Sequence, residues 1–288
     1  MYLPEELVVE ILSRVPFISL ARLRWTSKRW NAMIKDKILA CHGLLLCGTK
    51  DNRLVVCNPL SCETTWIQPG KSYTTIDIFA LGYNKKSSCY TILRMYRLHD
   101  SFQSRYKYEV YDFTSNSWRV VGVTTGWVIP PSQTRHGMSM KRNTYWLAEE
   151  HGRNFLLSFD YTSETFQCLS LPADANTLYH YLALSVTREE QQLCMLATDC
   201  TGALSWTKFL TVTRSGMYYR RYFGMTSFLI DQENKVVYCN SFFSNTIHIV
   251  GEDKYIEVNH DVAESPNESH NLFLLSYVPS FLKIQQGI

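Results

Sequence analysis

The chain has 288 residues, of which 45% are hydrophobic and 14% aromatic, so it is long and apolar enough to bury a full core. Its formal net charge of +3 is a mild basic excess without the dense Lys and Arg run of a polybasic tail. These values exclude a disordered chain and fit one large domain or a small domain followed by a larger one.

Apolar runs and cysteines indicate the compartment. No apolar run approaches the ~20 residues that a membrane span requires, and acidic residues occupy the N-terminus where a signal peptide would be basic. The nine cysteines are odd in number, scattered and never spaced C-x-x-C, so we expect reduced, buried thiols. We therefore expect an intracellular protein of the cytoplasm or nucleus, with no contact to membranes.

The first elements in the chain are two short amphipathic helices. From Pro4 to Val15 apolar residues recur at the spacing of one helix face, and Pro16 ends this helix. Ser19 is a suitable N-cap for a second helix, whose apolar positions continue to Ile34. We place a small helical domain at residues 1–38. Because this unit is too small to bury its apolar stripe, the stripe must pack on the rest of the chain or in a groove of another protein.

The segments "LPEELVVEILSRVP" and "SLARLRWTSKRWNAMIKD" resemble the F-box, the helical module that binds the Skp-type adaptor of SCF ubiquitin ligases. The Leu-Pro opening, the I-L-S-R-V-P core and the S-K-R-W-N segment match in order and spacing. The resemblance implies that the adaptor contact, or the small core beneath it, is made by Leu3, Pro4, Leu7, Ile11, Leu12, Val15, Pro16, Leu20 and Leu23.

Residues 39–288 are predicted to form an all-β domain. After His42 the chain shows short runs rich in Val, Ile, Tyr, Phe and Thr, separated by Gly, Asn, Asp, Ser and Pro. The runs are "RLVVCN", "CYTILRMY", "KYEVYDF", "FLLSFDY", "LCMLAT", "WTKFLTV", "TSFLID", "KVVYCN" and "TIHIVG". An irregular kelch-like β-propeller is the predicted fold, with a β-sandwich as the alternative.

A degenerate repeat favours the propeller. Three segments, "VVCNPLSCETTW", "EVYDFTSNSW" and "LSFDYTSETF", each show a strand, Asn or Asp, a turn with Ser, and a large aromatic residue. Their spacing of about 50 residues is typical of kelch blades. We expect the polar residue to bond the turn backbone and the aromatic residue to bury against a neighbouring sheet. The repeat positions are Asn58, Trp66, Asp112, Trp118, Asp160 and Phe166.

The β segments also resemble the F-box-associated interaction domain of plant F-box proteins, through "GLLLC", "ALGY", "YEVYDFTSNSWRVVGV", "NTYWLA" and "SYVPSFLKIQQG" among others. The match covers nearly all of residues 43 to 287 in family order. In that family the β domain recruits the protein to be ubiquitinated. Members usually have several dozen residues between the F-box and the G-L-L-L-C strand, whereas "IKDKILACHGLLLC" joins them almost directly here. This shortened junction implies a truncated last F-box helix with an incomplete first blade, or a gene model that has lost an exon.

Enzymatic motifs are missing from the sequence. There is no G-x-S-x-G elbow, Walker-type loop or H-E-x-x-H pair, and the eight histidines lack metal-ligand spacing, so we expect no catalytic residue, metal or cofactor. Arg220 and Arg221 lie among aromatic residues, but in a strand half of that set must point inward, and a protein-binding rim fits as well as nucleic acid. Trp127, in a Pro- and Gly-bounded loop, is either a buried anchor or part of a binding face.

The sequence thus predicts the target-recognition subunit of an SCF-type ubiquitin ligase. Its partners would be a Skp-type adaptor, the cullin and RING subunits reached through it, and a protein target whose identity the sequence does not give; we expect no nucleic-acid partner. The alternative is a protein-binding module outside any ligase, or a degenerate family member with impaired adaptor binding.

Overall fold

The structure is a computed structural model. It describes residues 34–49, 53–58, 61, 63–68, 73–74, 77–98, 105–130, 137–140, 142–171, 179–186, 193–199, 204–206, 211–212, 225–231, 234–241, 246–251, 255–259 and 284. The described residues form twenty β-strands in five four-stranded antiparallel sheets. Their secondary structure is therefore all-β, as the sequence predicts for this part of the chain.

Each sheet is built from four consecutive strands. The first sheet contains β1 (Ile34–Cys41), β2 (Leu44–Thr49), β3 (Leu54–Cys57) and β4 (Thr64–Ile67). The second contains β5 (Ile78–Asn84), β6 (Cys89–Leu98), β7 (Arg105–Asp112) and β8 (Ser117–Thr125). The third contains β9 (Met138–Met140), β10 (Asn143–Glu150), β11 (Arg153–Asp160) and β12 (Thr165–Leu169). The fourth contains β13 (Tyr179–Val186), β14 (Leu193–Asp199), β15 (Leu204–Trp206) and β16 (Thr211–Val212). The fifth contains β17 (Met225–Asp231), β18 (Val236–Ser241), β19 (Thr246–Gly251) and β20 (Tyr255–Asn259).

The strand runs predicted from composition are confirmed. Eight of the nine runs each contain one strand or the greater part of it, while "WTKFLTV" begins at the last residue of β15 and ends with β16. These runs are rich in β-branched and aromatic side chains, which fit a pleated surface that is buried on one or both faces. Strand β6 is an example, since every residue from Cys89 to Met95 is buried.

The sheets are arranged as the blades of a propeller. Within each sheet the four strands pair in chain order as a meander. The first strands of successive sheets, β1, β5, β9, β13 and β17, lie beside one another in that order. A radial arrangement of separate four-stranded sheets is a β-propeller, so the β-sandwich alternative is wrong.

Apolar side chains fill the spaces between successive sheets. Leu46 and Val56 of the first sheet pack with Leu81 and Ile92 of the second. On the other face of the second sheet, Leu93 and Val110 pack with Leu157 and Phe159 of the third. The alternation of side chains along each strand thus gives the second blade two buried faces.

The first sheet begins earlier than the sequence predicts. Strand β1 starts at Ile34 and pairs with β2 through a two-residue turn at His42 and Gly43. The predicted extension of the second helix to Ile34 is therefore wrong, and the proposed boundary after residue 38 falls inside β1. The first sheet has four strands like the others, so the incomplete first blade is not observed.

One buried ion cluster lies within the second sheet. Arg94 donates from Nε and Nη2 to Asp77 Oδ2, at 2.9 and 2.6 Å, and from Nη1 to Glu109 Oε1 at 2.9 Å. All three side chains are almost fully buried. Bidentate, charge-assisted bonds of this kind fix the loop before β5 to the middle of β6 and β7.

Candidate target-binding surface

One end of the propeller carries the first and third hairpin turns of each sheet. Turns alternate between the two ends of an antiparallel meander, so the β1–β2 and β3–β4 turns share an end, and their equivalents in the other sheets join them. We call this end the turn end. Neighbouring turns are tied together there, because the His42 and Tyr90 rings lie 6.3 Å apart and the Lys85 amide donates to Thr162 Oγ1 at 3.4 Å.

The predicted polar residues of the repeat shape the outer turns of the turn end. Asp112 Oδ1 accepts a hydrogen bond from the Thr114 amide at 2.7 Å, and Asp160 Oδ1 accepts one from the Thr162 amide at 2.6 Å. The fully buried Asn58 accepts a longer bond of 3.4 Å from the Ser61 amide. Side-chain oxygens that bond backbone amides two or three residues ahead hold the turns in one conformation.

The same capping device occurs in two inner turns, at Asn84, which the sequence analysis did not single out, and at Asp231, the polar residue of a weaker copy of the repeat, "FLIDQENKVVYC", that lacks the aromatic residue. Asn84 Oδ1 accepts from the Lys86 amide at 2.9 Å in the β5–β6 turn. Asp231 Oδ1 accepts from the Asn234 amide at 3.0 Å in the β17–β18 turn. In the sequence, both turns are marked by an Asn or Asp at the last position of a strand, followed by polar residues, without the later aromatic residue of the repeat.

The three repeat aromatics are not equivalent in the structure. Trp118 is half-buried at the boundary between the first two sheets, and its Nε1 donates to Gln68 O at 2.9 Å. Phe166 packs on Tyr108 of the second sheet, with ring centroids 5.0 Å apart. Trp66 is 41% exposed and is covered by the Arg53 guanidinium, 4.6 Å from its ring. The predicted burial against a neighbouring sheet therefore holds for two of the three.

Hydroxyl groups join the second and third sheets below the turn end. Ser139 Oγ donates to Leu81 O at 2.9 Å and lies 3.0 Å from Thr144 Oγ1, which in turn lies 2.8 Å from the Tyr161 hydroxyl. Burial raises the pKa of Tyr161, so its hydroxyl stays protonated. The Tyr161 ring covers Gly82, where any side chain would overlap it. The turns above this contact are thus held on a rigid support.

Exposed cations at the turn end have no acidic partner. Lys85 and Lys86 in the β5–β6 turn and Arg142 in the β9–β10 turn are exposed. Within the part of the chain that the structure describes, none of their side chains forms an ion pair or hydrogen bond. This excess of positive charge on two adjacent turns was not predicted from the sequence.

The opposite end holds the predicted Trp127 as a buried anchor. Its ring stacks on Tyr106 with centroids 5.4 Å apart and also contacts Phe166. The next residue, Val128, exchanges two backbone hydrogen bonds of 2.8 Å with Glu149 of the third sheet. This loop therefore crosses between two sheets and stabilises their contact, and the binding role left open for Trp127 is not supported.

The described residues give no arrangement typical of an active site. No group of three His, Cys, Asp or Glu side chains suited to a metal ion occurs among them, and none of their elements is a helix long and apolar enough to span a bilayer. Burial raises the pKa of Cys41 and of Cys239 to about 12, so these thiols are poor nucleophiles. Cys168 is exposed on β12, and its pKa is also raised by partial burial and by Glu150.

Several predicted residues lie outside the described part of the chain. These are the nine adaptor-contact positions Leu3, Pro4, Leu7, Ile11, Leu12, Val15, Pro16, Leu20 and Leu23, and the Arg220–Arg221 pair. Their predicted roles stay predictions.

A family model described as the F-box associated beta propeller domain matches residues 13–284, the greater part of the chain. The chain belongs to this family. Its relatives include the Arabidopsis thaliana F-box protein At3g21130, 43% identical over 100% of this chain and 98% of that protein. The Arabidopsis F-box/kelch-repeat protein At3g17570 is 33% identical over 99% and 96% of the two chains. Among solved structures, a nidogen/laminin complex matches 78% of this chain and 79% of that chain at 14% identity, with a TM-score of 0.42.

The relatives of this F-box family member are longer. The alignment with At3g21130 extends over 369 positions and includes all 288 residues, so about 81 positions (369 minus 288) lack a counterpart here. This difference fits the shortened junction that the sequence analysis placed between the F-box-like segment and the first G-L-L-L-C strand. The matching family model and relatives carry no enzymatic name.

Proposed function

We propose that this chain is the target-recognition subunit of an SCF-type ubiquitin ligase in the cytoplasm or nucleus. Membership of a family of F-box-associated propellers, together with the F-box-like segment at its N-terminus, is the observation that carries this proposal. The N-terminal segment would bind a Skp-type adaptor and, through it, the cullin and RING subunits. The propeller would hold the target.

The mechanism is proximity and requires no catalytic residue in this chain. Fixing the target and the ubiquitin-charged enzyme on one assembly raises the effective concentration of the target lysines at that enzyme. A stable propeller suits this task, because loops on a rigid support lose little entropy on binding. The tied and capped turns of the turn end have this property.

Adaptor binding is tested by copurification of the full chain with a Skp-type adaptor. The double variant Leu7→Asp, Ile11→Asp places two charges in the predicted apolar stripe and should abolish copurification. The matched control is Val9→Asp, Ser13→Asp, which adds the same charges on the opposite side of the predicted helix and should still copurify. Equal binding by wild type and the stripe variant would refute the predicted contact.

The second candidate is a propeller that binds proteins without serving a ligase. The observation that favours it is strand β1, which starts at Ile34 and so leaves little chain for a last F-box helix. A folded wild-type chain that fails to copurify with the adaptor would support this candidate. Inserting the longer junction of a relative between Met33 and Ile34 should then restore adaptor binding.

A further inference from the structure

Lys85, Lys86 and Arg142 form one surface patch, which we call the cationic patch. Strands β5 and β9 are adjacent, and the bond from Ser139 Oγ to Leu81 O sets their relative height. The β5–β6 turn begins four residues beyond Leu81 and the β9–β10 turn begins two residues beyond Ser139, so the turns project from adjacent strands at the same end, offset by about 7 Å along the strands. Packed sheets are separated by roughly 10 Å, a gap that two long cationic side chains can bridge around one bound group.

The negative charges near the cationic patch are already engaged. Each described carboxylate of the turn end has a partner in this chain: a turn amide for Asp112, Asp160 and Asp231, the Ile284 amide for Glu63, and Arg119 for Glu164. The cations of the patch have no such partner among the described residues. Amide-bonded carboxylates keep their negative charge, so the attraction for an anion of another molecule comes from the exposed ammonium and guanidinium groups of the patch, which are not paired with these carboxylates.

We propose that the cationic patch binds an anionic segment of the target protein, with charge supplied by Asp and Glu or by phosphorylated residues. This inference rests on the proposed function, in which the propeller holds the target. An extended acidic segment crossing the two turns would meet cations from both, and Arg142 could bind a carboxylate or phosphate in a bidentate manner. Charge pairing at such a rim sets the association rate and selects acidic partners over basic ones.

Nucleic acid fits the patch less well. Binding to single strands uses aromatic platforms beside the basic groove, but Phe113 and Tyr161 in the described turns of this end are buried, and the exposed His42 ring belongs to the β1–β2 turn of the first sheet, outside the patch. The patch also neutralises only a few phosphates, and the whole chain carries a net charge of just +3. A short acidic peptide matches this number of charges.

The experiment measures binding of fluorescein-labelled peptides to the full chain by fluorescence anisotropy. The probes are an oligo-glutamate, a phosphoserine peptide of equal length, and a neutral oligo-glutamine, with a single-stranded oligonucleotide for comparison. The patch variant is Lys86→Glu, Arg142→Glu. The control variant is Arg97→Glu, Arg153→Glu, which makes the same change in net charge at exposed positions of the opposite end. Thermal unfolding verifies that both variants remain folded.

We expect an acidic probe to bind and the patch variant to weaken its Kd by about tenfold or more, against less than about twofold for the control. Binding of the phosphoserine peptide alone would identify phosphorylation as the source of charge. Equal effects of the two variants, equal binding of oligo-glutamine, or no binding of either acidic probe would overturn the proposal. Tighter, patch-dependent binding of the oligonucleotide would replace it with nucleic-acid recognition.

Adaptor copurification separates this inference from the ligase role. Neither assay requires the other partner, so each can fail alone. Loss of acidic-peptide binding with the adaptor still bound refutes the cationic patch only. Loss of adaptor binding with peptide binding intact refutes the ligase role and leaves the patch as a site of the propeller.

Discussion

Removal of Arg94 should strongly destabilise the propeller. Arg94→Met keeps a long side chain but removes three charge-assisted hydrogen bonds of 2.6 to 2.9 Å. It leaves Asp77 and Glu109 as two buried carboxylates without their cation. Breaking a buried ion pair from one side costs about 3–5 kcal/mol, because an uncompensated charge stays in a poorly solvated site. That is a large part of the ~5–15 kcal/mol by which folded domains are stable.

Urea unfolding, followed by tryptophan fluorescence and far-UV circular dichroism, measures this loss. The matched control is Arg119→Met, which removes the ion pair with Glu164 from a side chain that is 50% exposed. Surface pairs of this kind contribute at most about 1 kcal/mol. Replacing Arg94, Asp77 and Glu109 together by apolar residues should recover part of the loss. If Arg94→Met lowered the free energy of unfolding no more than Arg119→Met does, the argument that burial makes the Arg94 cluster more stabilising than a surface ion pair would be refuted.

Two further predictions concern aromatic and thiol side chains. Trp118→Ala should lower the free energy of unfolding by about 2–3 kcal/mol, because it removes an inter-sheet hydrogen bond and packing. Trp66→Ala should lower it by less than about 1 kcal/mol, because that ring is 41% exposed. Urea unfolding compares the two variants, and equal losses would contradict the structure. Mass-spectrometric mapping of thiol labelling should find Cys168 modified and Cys41 protected, because the pKa of Cys41 is raised to about 12 by burial. The rate of Cys168 labelling should continue to rise above the pH at which an ordinary thiol is ionised, because the pKa of Cys168 is also raised. Labelling of Cys41 to a similar extent would refute the prediction that burial protects it.

The strands of the propeller could be predicted from local composition. Runs of β-branched and aromatic residues between turn-forming residues gave most of the central strands, because each such strand is buried on one or both faces by its own side chains. The capping roles of Asp112 and Asp160 also follow from sequence, since the bonded amides lie only two or three residues away. Local chemistry of this kind requires no knowledge of the distant chain.

Trp66 shows where a repeat pattern misleads. Trp118 and Phe166 follow their turn aspartates by six residues, but Trp66 follows Asn58 by eight. In the second sheet Trp118 pairs with Tyr111, the residue just before Asp112. In the first sheet the residue just before Asn58 is Cys57, and it pairs with Thr64. Trp66 therefore lies two residues farther along the edge strand than Trp118 does. Those two residues move the ring out of the contact between sheets. The different spacing was the available signal.

Strand β1 required tertiary information. Its sequence "IKDKILAC" continues a helical pattern and carries three charged residues, so propensity alone does not indicate a strand. Pairing with β2 across the His42–Gly43 turn stabilises the extended form, in which Ile38 to Cys41 pair in register with Cys47 to Leu44. Pairing within the sheet outweighed local preference here.

The sequence by itself determined the family, the β-rich composition and the capped turns, because these depend on residue type and on neighbours a few positions apart. Only the tertiary structure decided which charges meet. Arg94 and its two carboxylates are separated by 15 and 17 residues in the chain, and the cationic patch combines turns of two different sheets. Contacts between separate sheets depend on strand register and blade order, and no short stretch of sequence encodes either one.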